Sequence, residues 1–194
     1  MIINSTISLP GDKSISHRSI MLASIASGVS CITNLNDGED LQSTIKAMQS
    51  CGVSIQKEGD TILVKGSTLE NPIKPIDCGN SGTTSRLLAG LLSSQHLSFS
   101  LIGDISLSKR PMNRVIKPLT EMGCMIRSND GLLPLHIDAS KGLDRINYKM
   151  PIASAQVKSA ILLAGLGSKD SCLITELKHS RDHTEIMLKS MGAD

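Results

Sequence analysis

The sequence predicts an α/β protein built from one repeated unit of two helices and several strands. Glycines that close helical stretches recur about every 70 residues, at Gly52, Gly123 and Gly192, and an apolar residue, Met48, Leu119 or Leu188, stands four before each. A second register agrees. Leu22-Ala23-Ser24-Ile25, Leu88-Ala89-Gly90-Leu91 and Leu163-Ala164-Gly165-Leu166 lie in the first helix of each unit, and nine residues before those leucines stand Lys13, Gly79 and Ser154. Helical periodicity also alternates with short aliphatic and β-branched runs along the whole chain. The units fall at about 11–70, 71–140 and 141–194, and the third stops where a hairpin is due, so the expectation is a chain truncated in its third unit.

Taken in order, residues 2–9 read as a short strand, with Ile3, Ile7 and Leu9 among polar neighbours. After the Pro10-Gly11 turn a helix begins, with Ile15, Met21, Leu22 and Ile25 on one face and a stop at Gly28. Residues 31–35 form a strand. Residues 36–40 form an acidic turn in which Asp40 caps the second helix, which carries Leu41, Ile45 and Met48. Residues 53–55 and 61–64 make a hairpin around Glu58-Gly59-Asp60.

The second unit repeats this order. A loop at 77–84 leads into a helix with Leu87, Leu88, Leu91 and Leu92, and a strand follows at 97–102. A second helix has Pro111 at its first position and ends at Gly123, and residues 124–126 and 133–137 form the hairpin. In the third unit residues 151–156 lead into a helix with Val157, Ile161 and Leu162. A strand follows at 171–175, and a helix runs from 180–183 to Gly192.

Composition excludes several functions. Phe99 and Tyr148 are the only aromatics and there is no Trp, so the core is Ile, Leu, Val, Ala and Met, with the methionines as filler. Base-stacking platforms are lacking, and a net charge of +2 steers toward neither nucleic acid nor membrane. Cys31, Cys51, Cys78, Cys124 and Cys172 are scattered without a C-x-x-C pair, which argues against a metal site and for reduced, largely buried thiols in a cytoplasmic protein. The first residues lack the pattern of a secretion signal, and no apolar run has the length of a membrane span.

The chemistry concentrates at helix starts. Pro10-Gly11-Asp12-Lys13-Ser14-Ile15-Ser16-His17-Arg18 puts Lys13 and Ser14 at a helix N-terminus and Arg18 one turn on. Unpaired N–H groups and the positive helix end suit a phosphate or carboxylate there. A capped helix with two solvated cations explains the same stretch equally well. The corresponding loops carry Asn80, Gly82 and Thr83, then Arg110, then Ser154 and Gln156, then Arg181. Packed around a pseudo-threefold axis, such starts converge on one end and bind a multiply anionic ligand. Among neighbours, Asp37, Glu39 and Asp40 read as turn and cap, and His17 as a helix-face residue. Lys109, Arg114 and Lys117 read as solvated or ion-paired, and Arg86 and His183 stay open between structural and ligand roles.

These motifs carry a resemblance. Residues 9–18, Asp77-Cys78-Gly79-Asn80-Ser81-Gly82-Thr83-Thr84-Ser85-Arg86, Arg110-Pro111-Met112-Asn113-Arg114-Val115, Ser154-Ala155-Gln156-Val157-Lys158-Ser159-Ala160 and Ser180-Arg181-Asp182-His183-Thr184-Glu185 resemble, in order, the signatures of the EPSP synthase (5-enolpyruvylshikimate-3-phosphate synthase) family, in forms closest to its bacterial class II. The resemblance implies an inside-out α/β barrel, with modules around a pseudo-threefold axis, helices inside and sheets facing solvent. It implies that residues 1–10 form a strand of a second domain, that 11–194 form the N-terminal enolpyruvyl-transferase domain, and that the second domain is absent.

The implied reaction is attack of the 5-hydroxyl of shikimate 3-phosphate on the enol carbon of phosphoenolpyruvate, then loss of phosphate, with no metal or cofactor. Lys13 then contacts both substrates. Ser14, Arg18, Ser154, Ala155, Gln156 and Arg181 serve shikimate 3-phosphate, with Ser154 on its phosphate and Ala155 acting through its backbone. Lys13, Gly82, Arg110 and Gln156 serve phosphoenolpyruvate. The main acid and base carboxylates belong to the missing domain, so this chain alone is expected to be inactive and the full-length enzyme monomeric. Gly82, where an Ala methyl narrows the site of the inhibitor glyphosate, implies sensitivity to it. Two rivals stand beside this reading: the sister transferase acting on UDP-N-acetylglucosamine, and a non-catalytic ligand-binding fragment.

Overall fold

The computed structural model describes residues 9–193. Apart from Leu9, the strand expected over residues 2–9 lies outside the described residues. Asp12 opens the first helix, α1 (Lys13–Ile25), its carboxylate accepting the Ile15 N–H at 2.9 Å. Strand β1 (Val29–Thr33) follows, then α2 (Glu39–Ser50), β2 (Ser54–Glu58) and β3 (Thr61–Lys65). These strands form an antiparallel sheet in the order β1-β3-β2, with Ile55 opposite Val64 and Cys31 opposite Leu63.

A second run comprises β4 (Ile76–Asp77), α3 (Gly82–Ser94), β5 (Ser98–Ile102), a single 3-10 turn (Leu107–Lys109), α4 (Asn113–Glu121), β6 (Met125–Asn129) and β7 (Leu132–Asp138). Its sheet order is β4-β5-β7-β6, with only β4 and β5 parallel. The last elements are β8 (Asn147–Lys149), α5 (Ala155–Gly165), β9 (Leu173–Thr175) and α6 (His183–Ser190), with β8 and β9 parallel. The trio β5-β7-β6 repeats the order and sense of β1-β3-β2, and the parallel pair β8-β9 repeats β4-β5.

Burial separates two layers. The sheets alternate: Leu133, Leu135 and Ile137 of β7 are buried while the residues between them face solvent. Helix α3 is buried on nearly every side, from Leu87 through Ser94. Its small residues let neighbours approach closely. A Cβ placed on Gly90 would lie 2.0 Å from the Ala160 carbonyl oxygen, so α3 and α5 cross backbone to backbone. Helix α1 packs on α2, α3 and α6, which brings the starts of α1, α3, α5 and α6 to one end. Fully buried leucines such as Leu88, Leu91 and Leu92 each contribute roughly 2 kcal/mol by leaving water.

Several local expectations are corrected. Gly38, in extended conformation, takes the cap position of α2, which puts Asp40 inside the first turn. Helix α4 begins at Asn113, two residues after Pro111, because Met112 holds the cap position and its N–H is bound to the Gly131 carbonyl. Ile15 is exposed because the first turn of α1 projects at the end where the helix starts meet. Cys51, Cys78 and Cys124 are buried, but Cys31 is exposed and Cys172 half-buried. Met125 and Met191 lie at the surface rather than in the core. Among the described residues, no helix is long and apolar enough to cross a membrane.

Candidate functional site

Four helix starts supply the polar groups. In α1, Arg18 is only 4% exposed and makes three hydrogen bonds: Nε to Thr184 Oγ1 at 2.6 Å, Nη2 to Ser159 Oγ at 2.6 Å and Nη1 to the Ser14 carbonyl at 2.8 Å. It thereby ties α1 to α5 and α6. Burial, and then the nearby Arg181 charge, pull its pKa below the ordinary guanidinium value. Arg181 donates to Ser14 Oγ at 3.2 Å. Gln156, in the first turn of α5, donates to Thr83 Oγ1 in the first turn of α3 at 3.1 Å.

Ser14, Arg18, Thr83, Ala155, Gln156, Arg181 and His183 enclose a cavity of about 10 Å³. That volume holds one water molecule. The walls touch each other directly through Arg181 and Ser14 and through Gln156 and Thr83, so nothing larger fits while those contacts hold. His183, which also lines the cavity, has its Nδ1 buried without a hydrogen-bond partner among the described residues.

A second group adjoins the first through α3. Arg86 donates to the carbonyls of Gly82 and Pro111, each at 3.1 Å, and burial, followed by the charges of Arg110 and Arg114, lowers its pKa. Arg110 is exposed and donates to the Asn80 side chain, and at 3.3 Å to Ser106 Oγ. None of Arg18, Arg86, Arg110 and Arg181 forms an ion pair among the described residues. Guanidinium groups without a direct carboxylate partner, beside helix starts, suit this end to anions, although Asp12 and Glu185 lie close enough to act on Arg18.

Lys13 and Ser154 stand differently. Lys13 is half-exposed and ion-paired with Asp40 of α2, so it carries a resident counter-charge. Ser154 caps α5, its Oγ accepting the Val157 N–H at 3.4 Å, and it does not line the small cavity. Sequence reasoning had no signal for Thr184 and Ser159, whose roles depend on helices docked across long separations. It also missed the relay under the site. His17 Nδ1 lies 2.7 Å from Thr44 Oγ1, Thr44 lies 2.7 Å from Thr84, and Thr84 donates to Ser81 Oγ at 2.7 Å. The relay joins α1 and α2 to the cap of α3. Burial pushes His17 down to about 4, so it is neutral at physiological pH, and its Nε2 is buried without a partner among the described residues.

Roomier grooves lie elsewhere, such as one of about 670 Å³ between α2 and the β2–β3 hairpin. Its charged side chains include no arginine, whereas the helix starts bring Arg18 and Arg181 together with no carboxylate in ion-pair contact among the described residues. The polar convergence is therefore the stronger candidate.

Comparison with known proteins agrees with the motifs. Residues 2–194 match the family described as EPSP synthase (3-phosphoshikimate 1-carboxyvinyltransferase). The chain is 52% identical over 193 residues to the 3-phosphoshikimate 1-carboxyvinyltransferase of Ruthia magnifica, covering 98% of this chain and 44% of that protein. It is 49% identical over 197 residues to the enzyme of the same name from Oceanobacillus iheyensis, covering 99% and 46%. The solved structure of EPSP synthase from Acinetobacter baumannii superposes with a TM-score of 0.92 at 44% identity, over 97% of this chain and 44% of that one. The chain thus spans under half the length of the relatives it matches.

Proposed function

The chain belongs to the EPSP synthase family, and from that premise we propose that it forms one wall of the active site that joins phosphoenolpyruvate to the 5-hydroxyl of shikimate 3-phosphate and releases phosphate. The observation that carries this reading is the convergence of four helix starts around Arg18 and Arg181, with no carboxylate pairing either guanidinium among the described residues. Two anionic substrates need such a surface.

Each residue then has a task. Shikimate 3-phosphate displaces the Arg181–Ser14 contact and takes hydrogen bonds from Ser14, Arg18 and Arg181. Its phosphate meets Ser154 and the Ala155 backbone at the start of α5, where the helix end adds positive potential. The unpartnered His183 Nδ1 faces the same ligand. Phosphoenolpyruvate lies against Gly82 and Arg110, with Gln156 facing both substrates.

Lys13 leaves Asp40 to bridge the two substrates as the tetrahedral intermediate forms. In that step the hydroxyl oxygen bonds to the enol carbon, the hydroxyl proton departs, and the methylene carbon gains a proton. A proton is then lost from that methyl carbon, and the phosphate leaves. This chain contributes binding, orientation and charge stabilisation. We assign it no general base, and its turnover requires the opposite wall.

The same reading extends to architecture. The repeated strand orders support modules arranged about a pseudo-threefold axis as an inside-out barrel. Residues 11–194 then belong to the first domain, and the expectation for residues 1–10 falls almost wholly outside the described residues. The whole enzyme is a cytoplasmic monomer that needs no cofactor and is inhibited by glyphosate.

Calorimetry tests the proposal. Shikimate 3-phosphate titrated into the chain gives saturable heat, and Arg18→Ala abolishes it. A wild-type chain that takes up no ligand, or an Arg18→Ala variant that binds as tightly, overturns the reading.

A further inference from the structure

Lys158 lies in α5, one turn after the Ser154 cap, and only 6% of its surface is exposed. Its Nζ sits 2.7 Å from Glu176 Oε2 and 2.6 Å from Glu185 Oε1. Burial opposes the charge on Lys158, but the hydrogen bonds and charges of the two carboxylates outweigh it and raise its pKa. A buried ammonium with two carboxylate partners is a fixed point, because moving either partner away exposes an uncompensated charge to a low-dielectric interior.

The two partners bracket one segment. Glu176 follows β9, and Glu185 lies in the first turn of α6. Between them run Ser180, Arg181 and His183. Glu176 also accepts from the Ser180 hydroxyl, which holds the residue next to Arg181. Arg181 is exposed, and its one side-chain hydrogen bond among the described residues goes to Ser14. Apart from that one contact, the placement of Arg181 depends on how the two ends of its loop are held. Nothing in the proposed chemistry uses Lys158, Glu176 or Glu185.

We propose that Lys158 is a positioning residue that sets the placement of Arg181 by clamping both ends of segment 176–185. The inference rests on the reading of Arg181 as a contact for shikimate 3-phosphate. The bland alternative is an ion triad that stabilises the fold without directing Arg181. The two differ in one respect: only the clamp makes the effect of Lys158 pass through Arg181.

Two measurements on the chain separate them. The first follows the Arg181 Nε–Hε resonance by NMR in wild type, Lys158→Met and Lys158→Arg. The clamp predicts a shifted or broadened Arg181 signal in Lys158→Met and a largely restored one in Lys158→Arg. The second is a double-mutant cycle on shikimate 3-phosphate affinity. Lys158→Met weakens binding about tenfold in wild type and leaves an Arg181→Ala background nearly unchanged, the non-additivity of residues acting through one another.

Should Lys158→Met fail to fold, the triple variant Lys158→Met/Glu176→Gln/Glu185→Gln removes the charges together and replaces it in both experiments. An unmoved Arg181 signal, or fully additive affinities, overturns the clamp. A wild type that does not bind shikimate 3-phosphate overturns the functional reading instead, and the NMR comparison still decides the clamp.

Discussion

Arg18 and Thr184 meet at 2.6 Å although 166 residues separate them in the chain. Both are buried, and Thr184 donates a hydrogen bond to Ser159 Oγ at 2.7 Å, so one hydroxyl serves α1, α5 and α6 at once. Thr184→Val keeps the shape and removes the hydroxyl. It strands a buried guanidinium donor, at a cost of about 1–3 kcal/mol. Urea unfolding reads this as a lower midpoint with an unchanged slope. The same variant also weakens shikimate 3-phosphate, less than Arg18→Ala does.

Gly90 marks the crossing of α3 and α5. A methyl there meets the Ala160 backbone, with its carbonyl oxygen at 2.0 Å and its carbonyl carbon at 2.8 Å. Backbone cannot rotate aside as a side chain can, so the helices must separate. Gly90→Ala gains about 1 kcal/mol in helix propensity and loses about 3 kcal/mol or more to overpacking. The net outcome is a clear drop in stability by chemical denaturation, and the opposite sign would refute the close crossing.

Gly82 behaves otherwise. Its added Cβ falls 2.6 Å from Arg86 Nη1 and 3.6 Å from Arg110 Nη1, both at the ends of flexible side chains. Gly82→Ala therefore leaves the fold within about 1 kcal/mol of wild type. What changes is the space and charge beside the proposed phosphoenolpyruvate position. In the assembled enzyme, glyphosate inhibits the Gly82 form, and Gly82→Ala weakens that inhibition about 10–200-fold, the scale of one methyl group in a tight pocket. Inhibition constants for the two forms check this, and equal values contradict it.

His17 gives a pH signature. Its pKa is about 4 in the folded chain against 6.5 when free of burial. The unfolded chain therefore takes up the proton first as pH falls. Stability is complete above pH 6.5, declines between 6.5 and 4 by up to about 3 kcal/mol, and levels off below. His17→Asn, whose amide reaches the position of Nδ1, keeps the contact with Thr44 and flattens that window. Unfolding free energies at stepped pH distinguish the two proteins.

Much of this was legible in the sequence, for identifiable reasons. Caps and stops are local chemistry, so the start of α1 at Lys13 and the turn at Gly52 follow from Asp12 and from a glycine with φ of +89°. Periodicity located the six helices and both hairpins. Strands β4 and β8, two and three residues long, leave too little pattern to detect. Asp40 misled for a different reason: a carboxylate near a helix start reads as a cap, and only the folded chain brings Lys13 to it. The helix starts named polar residues that the fold gathers at one end, among them Ser14, Arg18, Thr83, Gln156 and Arg181. Their supports, Thr184, Ser159, Thr44 and Lys158, are ordinary helix residues whose roles exist only after docking.

The contacts that draw the site together join residues 73, 166 and 167 positions apart: Gln156 with Thr83, Arg18 with Thr184, and Arg181 with Ser14. Each such contact closes a long loop, and the entropy of closure is lost before the contact repays it. Individual helix–strand units can form early from local contacts, whereas the end that gathers Ser14, Arg18 and Arg181 exists only when the first and last helices have met. Its appearance in a refolding experiment is thus a late event. A ligand that requires Arg18 and Arg181 together accelerates no early step; it acts by retarding unfolding.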